Sequence, residues 1–143
     1  MTLLVLLSLV ACDDGRAEAC IAAKDAARTA WGEVGVRYSL ALTTAQDALK
    51  EPTGTLAALE RRPDAPAEGK AVLSAQIAAT QAEIDALRPK AEAAQQIATT
   101  FASQKVADAR ALADGLSADL SGDDVQNARA KAAEAAAACA GVE

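Results

Sequence analysis

Residues 65–101, APAEGKAVLSAQIAATQAEIDALRPKAEAAQQIATTF, place apolar side chains at Leu73, Ile77, Ile84, Leu87, Ala91, Ala94, Ile97 and Phe101. Steps of three, four and seven bring these residues onto one helical face. The stripe runs on through Ala109, Leu112 and Leu116, close to a heptad seam, and predicts a long helix packed in an antiparallel, coiled-coil manner. Its start is marked by Asp64 as a cap, by Pro66 where a first-turn amide hydrogen is not needed, and by Glu68 at the positive end of the helix dipole. Pro89 interrupts it and predicts a kink, because a proline inside a helix removes one hydrogen bond and crowds the preceding turn.

On the N-terminal side, Cys20, Ala27, Trp31, Val34, Tyr38, Leu42, Ala45 and Leu49 repeat the same spacing over 17–50, a stretch without proline. This is read as the first helix, stopped by Glu51-Pro52-Thr53-Gly54, with a turn or two of helix within a hairpin loop before the second. Gly32 and Gly35 sit just after Trp31 and predict either a close helix crossing or a bend. On the C-terminal side, Ser121-Gly122-Asp123-Asp124 has the spacing of an N-terminal capping box. A third helix, 124–140, carries Val125, Ala128, Ala132, Ala135 and Cys139 on one side, and Gly141 with Val142 reads as a glycine C-cap and its hydrophobic contact. The expected fold is all-α: an antiparallel helical hairpin or three-helix bundle whose long second helix is kinked near Pro89. The alternative, with a break at Pro89, is a four-helix up-down-up-down bundle.

Composition agrees. Of 143 residues 40 are alanine, against one each of Trp, Tyr and Phe, and alanine favours helix because it loses no side-chain entropy there. The length is that of one domain. The net charge of -6, with no basic cluster beyond Arg61-Arg62, argues against a nucleic-acid partner. There is no histidine, hence neither the commonest general base nor the commonest metal ligand. Phosphate-binding glycine loops, Cys-x-x-Cys pairs and nucleophile elbows are missing from the sequence as well. Glu83, Asp85, Glu92 and Asp108 fit a solvated helix face, and Asp13-Asp14 and Asp123-Asp124 fall far short of the oxygen count a calcium ion takes. The chain is expected not to be an enzyme and to need no metal or cofactor.

The first twelve residues are of another kind. Leu3-Leu4-Val5-Leu6-Leu7-Ser8-Leu9-Val10 is an uncharged apolar run that ends in Ala11 and Cys12. It is too short to span a bilayer, which takes about 20 apolar residues, and has the form of a cleavable export signal. Leu9-Val10-Ala11-Cys12 resembles the lipobox of bacterial lipoproteins. The resemblance implies removal of residues 1–11, a diacylglyceryl group on the Cys12 thiol and an acyl chain such as palmitate on the new amino terminus. Residues 12–16 would then be a lipidated tether and 17–143 an alanine-rich helical domain, held on a membrane of the cell envelope and facing the periplasm or the exterior.

Taking Cys12 for lipid leaves Cys20 and Cys139 as an even pair, which an exported protein can oxidise. At 1.5 Å per residue the expected helices return Cys139 to about the level of Cys20. A disulfide between them is expected, with Cα atoms within about 7 Å. Trp31 and Tyr38, two turns apart on one face, are either core or an interaction patch. The function that accounts for these features together is a lipid-anchored structural or interaction protein of the bacterial envelope, similar to small alanine-rich envelope lipoproteins, with another envelope protein as partner. A phage spanin subunit or an immunity lipoprotein is a variant of it. The alternative is a module that binds a lipid or another small apolar ligand, for which a cavity lined by Leu, Ile and Phe101 is required.

Overall fold

The computed structural model describes the backbone of residues 10–143 and the side chains of residues 15–143. The signal-like residues 1–9 and the Cys12 side chain lie outside the described residues. The fold is all-α, with four helices and no strand among the described residues: α1 (Val10–Glu60), α2 (Ala67–Ser103), α3 (Val106–Leu116) and α4 (Asp123–Ala138). Residues 12–16, expected as a tether, are part of α1.

The chain divides into two compact units. One unit, Val36–Glu92, is a helical hairpin made of the second half of α1 and most of α2. Tyr38, Ala45, Ile84 and Ala91 are its buried side chains together with Pro52. Their seven-residue spacing on both helices is that of a coiled-coil seam, and in an antiparallel pair it sets Tyr38 level with Ala91 and Ala45 level with Ile84. The turn between the helices is short, with the Arg62 amide donating to the Leu59 carbonyl and the Ala65 amide to the Arg62 carbonyl, at 3.1 and 3.2 Å.

The other unit joins the first half of α1, up to Gly35, to Ala93–Glu143. Its core is formed by Trp31, Val34, Ile97, Phe101, Val106 and Val125, all at most 1% exposed, among buried alanines of all four helices. Alanine faces let the backbones approach. At Gly35 the approach is close: a Cβ built there would lie 3.6 Å from the Gln95 amide nitrogen and 3.8 Å from the Ala94 carbonyl carbon. Gly32 has open space around it, so of the two glycines only Gly35 marks the crossing.

Three expectations are corrected. First, α1 does not stop at Glu51-Pro52 but continues through Pro52 and Gly54 to Glu60. Pro52 is buried and Leu56 and Leu59 are half-buried, so the extra turns cover apolar surface, while the carbonyl that Pro52 leaves without an amide belongs to the exposed residue Ala48. Second, the long second helix ends at Ser103, not at Leu116, and the chain restarts as α3 after Lys105, whose ψ of 146° is extended. The helix passes Pro89 without a break. Third, the N-cap of the last helix falls one residue after Ser121. Gly122 is the N-cap of α4, with φ +124°, a conformation that side-chain-bearing residues rarely adopt. Gly141 follows the expected pattern, with φ +78° and Val142 half-buried behind it.

Pro89 is exposed, so it costs a helix bond without contributing burial. Replacing it with alanine restores an amide that can donate to the Asp85 carbonyl. The Pro89→Ala protein is expected to be more stable by about 1–3 kcal/mol, part of the helix penalty of proline being offset by the stiffer unfolded chain. Urea titration followed by circular dichroism measures this, and a midpoint at or below that of the parent protein counts against it.

Candidate functional site

The densest chemistry in the described residues lies where the end of α4 meets the start of α1. Cys20 and Cys139 are disulfide-bonded with their Cα atoms 4.6 Å apart, across 119 residues of sequence. Both are 5% exposed. The expected pair is therefore brought together, and the reason is legible in the face patterns: Cys20 precedes Ala27 and Trp31 on the buried side of α1, and Cys139 follows Ala132 and Ala135 on that of α4.

Beyond Cys139 the chain turns at Gly141 and returns Glu143 to the bundle. Its Oε2 accepts a hydrogen bond from the Val106 amide at 2.7 Å, and its Oε1 pairs with Lys24 Nζ at 3.3 Å. Val106 opens α3, and Lys105, its N-cap residue, makes no side-chain cap bond. The first amides of a helix have no partner within it, and Val106 is 1% exposed, so the carboxylate supplies an acceptor the helix itself does not have. Its charge also suits the positive end of the helix dipole. The other end of α3 is held by Arg129 of α4, which donates from Nη2 to the Ser117 carbonyl at 2.6 Å and from Nε to Ser117 Oγ at 3.2 Å. Neither contact was legible in sequence, since Glu143 and Val106 are 37 residues apart and belong to no motif.

One Glu143 carboxylate oxygen and the two sulfurs lie within 4.8 Å of one another. Metal ligation by cysteine requires thiolates, and here the sulfurs are bonded to each other while Lys24 neutralises the carboxylate. The cluster is a covalent staple beside an ion pair.

Trp31 is 0% and Tyr38 5% exposed, so packing takes both rings and neither offers surface to a partner. The Trp31 indole nitrogen is buried without a hydrogen-bond partner among the described residues. Asp123 and Asp124 lie in the first turn of α4, where acidic groups favour the dipole, and Asp124 Oδ1 accepts from the Val125 amide at 2.9 Å.

Two larger surface grooves occur on the α1 side. One, of about 480 Å³, runs along Ala22, Ala26 and Ala30 with Asp25, Glu33 and Lys131 at its edges. The other, of about 440 Å³, is lined by Ile21, Lys24, Asp25, Arg28, Phe101 and Ala102. Both are open and rimmed by charges, unlike the Leu- and Ile-lined cavity that an apolar ligand requires. Compared with protein families, with curated proteins and with solved structures, the chain matches none.

Proposed function

We propose that the chain is a lipid-anchored helical protein of the bacterial cell envelope, whose bundle serves as a spacer or docking surface for another envelope protein and carries out no catalysis. The observation that carries this reading is the distribution of cysteines. Cys20 and Cys139 are taken by the disulfide, which leaves Cys12 alone, directly after the apolar run and the lipobox-like Leu9-Val10-Ala11. A stable disulfide also accords with an oxidising compartment.

No helix among the described residues is long and apolar enough to cross a membrane, so attachment in this reading comes from acyl chains, each buried methylene contributing about 0.8 kcal/mol. Because α1 is continuous from Val10, the staple would stand about 12 Å from the acylated residue, at the rise of an α-helix. The unit that holds it is read as an up-down-up-down arrangement of four helical segments, with the start of the first beside the end of the last.

Cys12→Ser tests the anchor. In a bacterial host labelled with radioactive palmitate, the parent protein is expected to take up label and to sediment with membranes. The variant is expected to lose the label, and to be released or to accumulate as precursor. A variant that is still processed and stays membrane-bound through washing overturns the reading.

A further inference from the structure

The disulfide and the cap of α3 sit at opposite ends of one five-residue segment, Cys139 to Glu143. Cys139 is bonded to Cys20 of α1, and the segment then turns through Gly141, with the Val142 amide donating to the Cys139 carbonyl at 3.1 Å. Four residues beyond the sulfur, Glu143 receives the Val106 amide. What holds Cys139 to α1 thus works with the Lys24–Glu143 pair to position the acceptor for the first amide of a helix that contains no cysteine.

Cys139 is buried, at 5% exposure, but lies at the protein surface rather than deep in the core. Cys139 lines a surface groove of about 310 Å³ together with Lys105, Val106, Ala136, Gly141 and Glu143. Thiolates attack disulfides in line with their access to a sulfur, and Lys105, exposed at this groove, places a cation where an incoming thiolate would approach.

From this geometry we infer that the Cys20–Cys139 disulfide is a redox latch for α3: its reduction frees Glu143 from Val106 and loosens the start of that helix. The reductant is a dithiol. One of its thiolates attacks Cys139 Sγ, the Cys20–Cys139 bond breaks and a mixed disulfide forms. The second reductant sulfur then displaces Cys139. Two electrons and two protons pass to the protein, leaving two cysteine thiols and an oxidised, disulfide-bonded reductant. Released from α1, the end of α4 frays, and the 139–143 turn no longer holds the carboxylate on α3. Val106 and the buried ring of Phe101, which precedes the α2–α3 break, are the apolar groups that this opening uncovers. The latch does not depend on the anchor at Cys12 and stands or falls separately from it.

Amide hydrogen exchange followed by NMR on the full chain tests it, with and without a dithiol reductant, in the parent protein and in Glu143→Ala. In the parent, reduction is expected to speed exchange of the Val106 amide by about ten-fold, the effect of losing one cap bond. In oxidised Glu143→Ala the Val106 amide is already fast, and reduction adds little to it. Hairpin amides such as those of Ala45 and Ile84 keep their protection throughout. Three results overturn the latch: Val106 unchanged by reduction, an equal response with and without Glu143, or a loss of protection that spreads to the hairpin in step with Val106.

Discussion

Replacing both Cys20 and Cys139 with alanine is expected to destabilise the disulfide-bearing unit by about 4–5 kcal/mol, the chain-entropy value for a closed loop of this size. The bridge spans 119 residues and joins two helices whose facing residues are mostly alanine. Each such contact buries little area, so the loss is large beside the total stability of a domain, about 5–15 kcal/mol. The melting temperature is expected to fall by roughly 10–25 °C. The single tryptophan, Trp31, lies in the same unit, so its fluorescence reports this transition. Circular dichroism, dominated by the long helices, follows the whole chain. A double variant that melts within about 2 °C of the parent, a change of well under 1 kcal/mol on that scale, rules out the staple as a main source of stability.

Trp31→Ala is expected to have an effect of similar size, about 3–5 kcal/mol, as for other large aromatic truncations in cores. Trp31 and Phe101 are the largest of the fully buried side chains, and the small residues around them cannot reach in to refill the space. Trp31→Phe separates two contributions. It keeps most of the apolar ring and removes an indole N–H that is buried without an acceptor. Leaving a donor unsatisfied costs about 1–3 kcal/mol, so this variant is expected to lose less than half of what the alanine variant loses. Urea denaturation followed by circular dichroism compares the three proteins. A Trp31→Phe protein as unstable as Trp31→Ala would mean that the indole nitrogen does have a partner.

The heptad spacing of Ile84 and Ala91, and of Tyr38 and Ala45, is recoverable from the chain alone, because helical periodicity is a local property and the buried face recurs within each turn. So are the start of α2 near Pro66 and the left-handed Gly141, each of which depends on a residue type with a particular backbone preference. The cysteine pair was legible for a similar reason: both residues fall on apolar faces, and helix lengths bring those faces to one level. The interaction patch at Trp31 and Tyr38 was not separable from core by spacing, since both require the same periodicity. Burial chose between them.

Local rules failed at Pro52 and at Ser103-Gln104-Lys105, in opposite directions. Proline signals a stop, at about 3 kcal/mol in a helix interior; yet α1 continues because Pro52 itself is buried and the turns beyond it partly bury Leu56 and Leu59. Ser103-Gln104-Lys105 contains neither glycine nor proline, and by propensity alone the helix could run on to Leu116. It breaks there because Val106 turns into the core and its freed amide finds the Glu143 carboxylate. Periodicity, turn residues and cysteine count are encoded within a few residues of each other and can be read directly. Where a helix ends when no local residue demands it depends on a balance between a broken backbone bond and a distant acceptor, and that balance exists only in the folded chain, where Glu143 lies against Val106.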